Sequence, residues 1–142
     1  KDFGARFMGG MLGLLSRNNP ESETLTVLTA TSGDTGSAVA AGFHNVPGVQ
    51  VVVLYPEGKV SDLQESQMTT LGGNIHPLKV KGNFDDCQAL VKGVFNDSFF
   101  RADHYVTSAN SINPLRWIPQ SFYYFWAYAQ MKRQGLGDEL VT

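Results

Sequence analysis

The chain has 142 residues, of which 42% are apolar, 17% are charged and 15 are glycine, and its formal net charge is −2. That length is one domain's worth at ~100–200 residues per domain, and the charge argues against a nucleic-acid grip built on bulk positive charge. A single cysteine, Cys87, excludes an internal disulfide framework and a Cys-rich zinc site, and no apolar run reaches the ~18 residues of a membrane span.

A helical pattern begins at once. Over residues 2–17, Phe3, Phe7, Met11, Leu14 and Leu15 recur at helical spacing and predict one apolar stripe. Gly4, Gly9, Gly10 and Gly13 lie off that stripe. Each glycine costs ~1 kcal/mol in a helix interior relative to Ala, so this many predict close approach by another backbone or a ligand; a loosely built helix is the plainer alternative. A polar turn precedes a β-branched run, residues 24–31, that reads as a strand. It ends in SGDTG at 32–36, and an Ala-rich helix follows over 36–45. Residues 49–55 are nearly all apolar, as in a strand covered on both faces.

After a loop at 56–59, Ser61 and Gln64 match the capping-box spacing and predict a helix over 62–71, with Gly72 and Gly73 at its end. Residues 75–80 read as a strand that Pro77 places toward an edge. Asn83 is placed to cap a helix whose apolar face is Phe84, Cys87, Val91, Val94 and Phe95. Residues 97–104 carry no clear pattern, and 105–107 suit a short strand. Asn113 before Pro114 fits an N-cap with proline at the first helical position. A long helix is expected from there to about Arg133, kinked or displaced by Pro119, and residues 138–142 suggest one more strand beginning.

Strands alternating with helices imply an α/β fold: a parallel sheet of about four strands with helices on both faces, three-layer and Rossmann-like, in one domain over residues 1–142. Ligands of such sheets bind beyond the carboxyl ends of the strands, which singles out the loops 32–36, 56–59 and 108–113. In the first loop, backbone N–H groups at a helix start and the hydroxyls of Ser32 and Thr35 suit a carboxylate or phosphate. A plain capped turn explains the same residues. The loop is neither a Walker motif nor the GxGxxG fingerprint. In the third loop, Asn110 and Ser111 with Arg116 could clamp a phosphate, or the loop could be structural with Arg116 paired at the surface. Lys59 suits either an anion or solvent, and a lone Lys1 says nothing by itself, although lysines form imines with carbonyl compounds. His44, His76 and His104 show no ligand spacing, and Cys87 reads as core.

Taken together, KDFG at 1–4 with RFM at 6–8, LTATSGDTG at 28–36, LYPEGKVS at 54–61, LGGNI at 71–75, CQALVK at 87–92 and SANSIN at 108–113 with Arg116 resemble the threonine synthase family. These are pyridoxal-phosphate enzymes of the tryptophan-synthase-β-like fold, fold type II. The resemblance spans essentially the whole chain in the family's order. It implies pyridoxal 5'-phosphate as cofactor, Lys1 as the Schiff-base lysine, and Asp34 beside the cofactor's 3'-oxygen. It implies Ser32 and Thr35 as ligands of the substrate's anion, and Asn110, Ser111, Arg116 and Lys59 as ligands of the substrate's phosphate. The implied reaction is a carbon–oxygen lyase step of threonine biosynthesis in the cytoplasm, converting O-phospho-L-homoserine and water to L-threonine and phosphate.

The family also has a region before the lysine, a glycine-rich loop for the cofactor phosphate after the next strand, and a large C-terminal region. The 142 residues are therefore expected to be an internal fragment that is inactive alone and binds the cofactor poorly. Other readings are a threonine dehydratase or cysteine synthase of the same fold type, which need no substrate-phosphate clamp, and a non-catalytic anion-binding α/β domain. Neither a nucleic-acid nor a membrane partner is expected, and the oligomeric state is left open.

Overall fold

The β-branched runs become the strands of one parallel sheet. The computed structural model describes residues 1–19, 21 and 23–136. Its strands are β1 (Leu25–Ala30), β2 (Val49–Pro56), β3 (Ile75–Val80) and β4 (Val106–Ser108), in the order β3-β2-β1-β4. Every neighbouring pair is parallel. β3 lies at an edge, where Pro77 breaks no ladder on a free side. The chain steps outward from β1 to β2 to β3, then returns across β1 to lay down β4. The direction of winding thus reverses between β1 and β4, and the loops leaving these two strands flank a crevice at their carboxyl ends.

Side chains alternate across the sheet with the period of two. Val27, Val51 and Val53 face one layer, made by α1 (Asp2–Asn18), α2 (Asp34–Phe43) and α3 (Asp62–Thr69), which contributes Met8, Val39, Phe43 and Met68. Leu28, Ala30 and Leu54 face the other, where α4 (Phe84–Asn96) supplies Cys87 and Val91. The capping box of Ser61 and Gln64 starts α3, and a second box of Asn83 and Asp86 starts α4. Residues 97–104, without clear pattern in sequence, form α5 (Ser98–Asp103), whose first amides are capped by Asp97.

Two expectations are corrected. The helix expected from Pro114 to about Arg133 is three pieces: α6 (Pro114–Trp117), a 3-10 turn (Ile118–Ser121) and α7 (Phe122–Arg133). Pro119 has no N–H for an α-helical bond, and the chain tightens around it. The apolar stripe of α1 is not its core face. Phe3, Met11, Leu14 and Leu15 are exposed, whereas Gly4, Ala5, Met8, Gly9 and Gly13 are buried. A Cβ at Gly9 would collide with the Gly42 carbonyl of α2, and one at Gly4 with the Arg116 carbonyl of α6. Close approach by another backbone is therefore what these two glycines serve, and no large side chain fits there. The strand suggested at 138–142 lies outside the described residues.

Candidate active site at the carboxyl end of the sheet

The loop leaving β1 is wound by one hydroxyl. Thr31, 1% exposed, accepts at Oγ1 from the amides of Gly33 (2.9 Å) and Gly36 (2.8 Å). Gly33 has φ +139°, which side-chain-bearing residues rarely adopt. Those two amides are therefore taken, although the sequence offered them to an anion. Asp34 and Thr35 open α2, and first-turn amides have no intrahelical acceptor. Among the described residues the hydroxyls of Ser32 and Thr35 make no hydrogen bond, so both are available to a ligand.

Lys1 stands at the N-cap position of α1 and its side chain meets this helix start, with Nζ 3.3 Å from Asp34 Oδ2. Both side chains are more than half exposed, at 56% and 66%, so the pair adds little stability and matters for where it places the amine. Gln64 of α3 donates through Nε2 to Asp34 Oδ1 at 2.7 Å. The Gln64 hydrogen bond, followed by the Lys1 bond and charge, holds the Asp34 carboxyl below its ordinary range. Asp34 is thus ionised at neutral pH and is an acceptor only. Gln64 was visible in the sequence only as a helix cap; its bond to Asp34 spans 30 positions and left no local signal.

Asn110, just past β4, ties that loop to β1. Its Oδ1 accepts from Thr29 Oγ1 (3.0 Å), Ala30 N (3.3 Å) and Ser108 Oγ (3.3 Å), and its Nδ2 donates to the Ala30 carbonyl (3.0 Å). A primary amide has two N–H donors, so one remains. Asn113 caps α6 by accepting from Leu115 N and donates to the Ser108 carbonyl. Ser111 is exposed on the same loop.

Arg116 corrects the reading that paired it at the surface. It is 3% exposed, donates through Nη1 to the Ala109 carbonyl, and forms no ion pair among the described residues. Its Nε–H has no partner. Burial lowers its pKa, but a guanidinium still keeps its charge. A buried cation without a carboxylate, and with a donor unused, is costly unless an anion completes it. Lys59 is exposed on the turn after β2, and no bond joins it to Arg116 or to the Lys1–Asp34 pair among the described residues.

The remaining candidates are structural. His76 bonds Gln50 at 2.6 Å and His104 lies against the Phe100 ring, with no metal-binding cluster among the described residues. Cys87 is buried, and that burial raises its thiol pKa, which keeps it protonated. Glu65 accepts from Tyr55 Oη (3.2 Å) and pairs with Lys79 (2.7 Å), tying α3 to β2 and β3.

Residues 1–134 match the family of pyridoxal-phosphate dependent enzymes. The chain belongs to that family. Among curated proteins, it is 51% identical to the threonine synthase of Escherichia coli strain K12 over 142 residues, which is 100% of this chain and 32% of that one. Among solved structures, the Escherichia coli threonine synthase superposes with TM-score 0.79 at 51% identity, covering 90% of this chain and 29% of that one. A pyridoxal-phosphate-bound threonine synthase from Brucella melitensis gives TM-score 0.81 at 38% identity over 91% of this chain and 28% of that one. The chain thus spans about a third of the relatives it matches, and none of them favours a dehydratase, a cysteine synthase or a non-catalytic domain.

Proposed function

We propose that residues 1–142 are one α/β domain of a threonine synthase, a cytoplasmic enzyme that turns O-phospho-L-homoserine and water into L-threonine and phosphate. The observation that carries this reading is the contact of Lys1 Nζ with Asp34 at the start of α2, beside the crevice between β1 and β4. The buried, partly unpaired Arg116 supports it independently. The donor set fits pyridoxal phosphate and a phosphorylated substrate: an exposed primary amine, free hydroxyls at a helix start, and a guanidinium awaiting an anion.

When bound, pyridoxal phosphate would supply an electron sink for charge developing on the substrate's carbons. Lys1 holds the cofactor and, as a free amine, moves protons at the substrate's α and β carbons. Asp34 keeps that amine in place and would lie beside the 3'-oxygen of a bound cofactor. Ser32 and Thr35 bind the substrate carboxylate with the backbone amides of Asp34 and Thr35 at the start of α2. Arg116, Ser111, the free N–H of Asn110 and Lys59 hold the substrate phosphate and stabilise it as it leaves.

Titration of the 142-residue chain with pyridoxal phosphate tests this reading. A weak but saturable change in the cofactor's visible absorbance is expected, and it should vanish in Lys1→Ala, which removes Nζ and keeps the chain's α-amine. An unchanged titration in that variant would remove Lys1 from the site. The isolated chain is expected to release no phosphate from O-phospho-L-homoserine.

A further inference from the structure

We propose that Gln64 is a positioning residue, one that presents the Asp34 carboxylate to Lys1, and that it must be an amide rather than an acid to do so. The inference rests on the proposed role of Lys1 and deepens it. Gln64 makes two kinds of contact at once. Its Oε1 accepts from Ser61 N and Ser61 Oγ, both at 3.1 Å, which closes the capping box of α3. A backbone amide only donates, so this bond fixes which end of the side chain is oxygen. Nε2 must then face Asp34 Oδ1, at 2.7 Å. With Oδ1 held by α3, Oδ2 is the oxygen left for Lys1 at 3.3 Å.

Gly33 completes the arrangement. A Cβ at Gly33 would sit 2.5 Å from the Gln64 amide group, so the glycine clears the path by which Gln64 crosses to Asp34. The Gln64 hydrogen bond, then the hydrogen bond and charge of Lys1, hold the Asp34 carboxyl below its ordinary range. α3 carries Glu65 next in sequence, but its carboxylate is turned to Tyr55 and Lys79. The carboxylate of Asp34 is therefore poised between one cation from α1 and one neutral donor from α3.

A capping box takes glutamate as readily as glutamine. The cap alone would therefore accept Gln64→Glu, whereas the bond to Asp34 would not. That substitution puts a second carboxylate at hydrogen-bond distance from the first, and two such groups share a proton. The test is carbon NMR titration of the Asp34 carboxyl in the 142-residue chain, with the absorbance–pH profile of pyridoxal phosphate bound to it as the second readout. In Gln64→Glu the Asp34 midpoint is expected to rise by roughly one pH unit or more, a tenfold loss of acidity, with helix content unchanged. The absorbance profile should move with it. Ser61→Ala, which loosens the same helix start, should leave the Asp34 midpoint in place. The proposal is overturned if Gln64→Glu leaves the midpoint where it was, or if Ser61→Ala moves it as far. A failed Lys1 assignment shows itself separately, as an absorbance profile indifferent to Lys1→Ala while the Asp34 midpoint still responds to Gln64→Glu.

Discussion

The two long faces of α1 are built on opposite rules. Its inner face is a seam of small residues around the buried Met8, where Gly9 meets the Gly42 carbonyl and Gly4 meets that of Arg116. Its outer face carries the aromatic and aliphatic stripe, where Phe3 meets Tyr123 (centroids 5.3 Å apart) and Phe7 meets Phe122 (6.2 Å). These contacts join α1 to α7, a helix with no buried residue, which extends the apolar surface through Tyr124, Phe125 and Trp126. The difference teaches that the number of large apolar side chains did not by itself choose the buried face here. Backbone proximity fixed the small residues at Gly4 and Gly9, and Met8 fills the space beside them. The seam also carries the site, because it sets how α1 delivers Lys1 to α2 and leans on the turn holding Arg116.

Gly9→Leu should break this comparison most severely. The new side chain has no room against the Gly42 carbonyl, so a loss of about 3 kcal/mol is expected, seen as a lowered urea midpoint. Unchanged stability would mean the seam is not tight. Gly10, one position on, meets nothing within 4 Å. There Gly10→Ala should stabilise the chain by ~0.5–1 kcal/mol through helix propensity alone. A loss at that position would mean the outer face is packed after all. On the aromatic side, Tyr124→Ser should change stability by less than ~0.5 kcal/mol, while lowering the fluorescence of an apolar dye bound to the surface.

The smallest stability effect is expected from acid. Asp34 has a folded pKa below its ordinary 3.8. Its contribution is present above that value and fades as pH falls through the lower folded one. Since the pair is exposed, acid should release Lys1 without a visible step in the unfolding midpoint. A distinct step there would show the pair to be structural.

What the sequence made legible was local. The strand at 75–80 has the observed bounds, and the caps at Ser61, Asn83 and Asn113 all form. Each such signal lies within four residues of its own chain. The candidate loops are expected at strand ends, and the resemblance implies Lys1 as the Schiff-base lysine and Asp34 beside the cofactor's 3'-oxygen, but not the contact between the two. The wiring of the site was not legible. Asn110 reaches back 80 residues to Ala30, and Gln64 reaches 30 to Asp34. Arg116 reads in sequence as a phosphate ligand or a surface charge, and only the fold shows that its side chain is buried. The face of α1 misled for a related reason, since spacing shows which residues share a face but not what lies opposite.

Thr31 has a consequence for binding thermodynamics. By accepting from both Gly33 and Gly36, its hydroxyl holds the first ligand loop in shape before any ligand arrives. Ordering a loop residue costs roughly 1–2 kcal/mol of conformational entropy. A ligand entering here meets a loop already ordered. Its association should therefore be rapid and carry little of the unfavourable entropy that a floppy glycine-rich segment would impose.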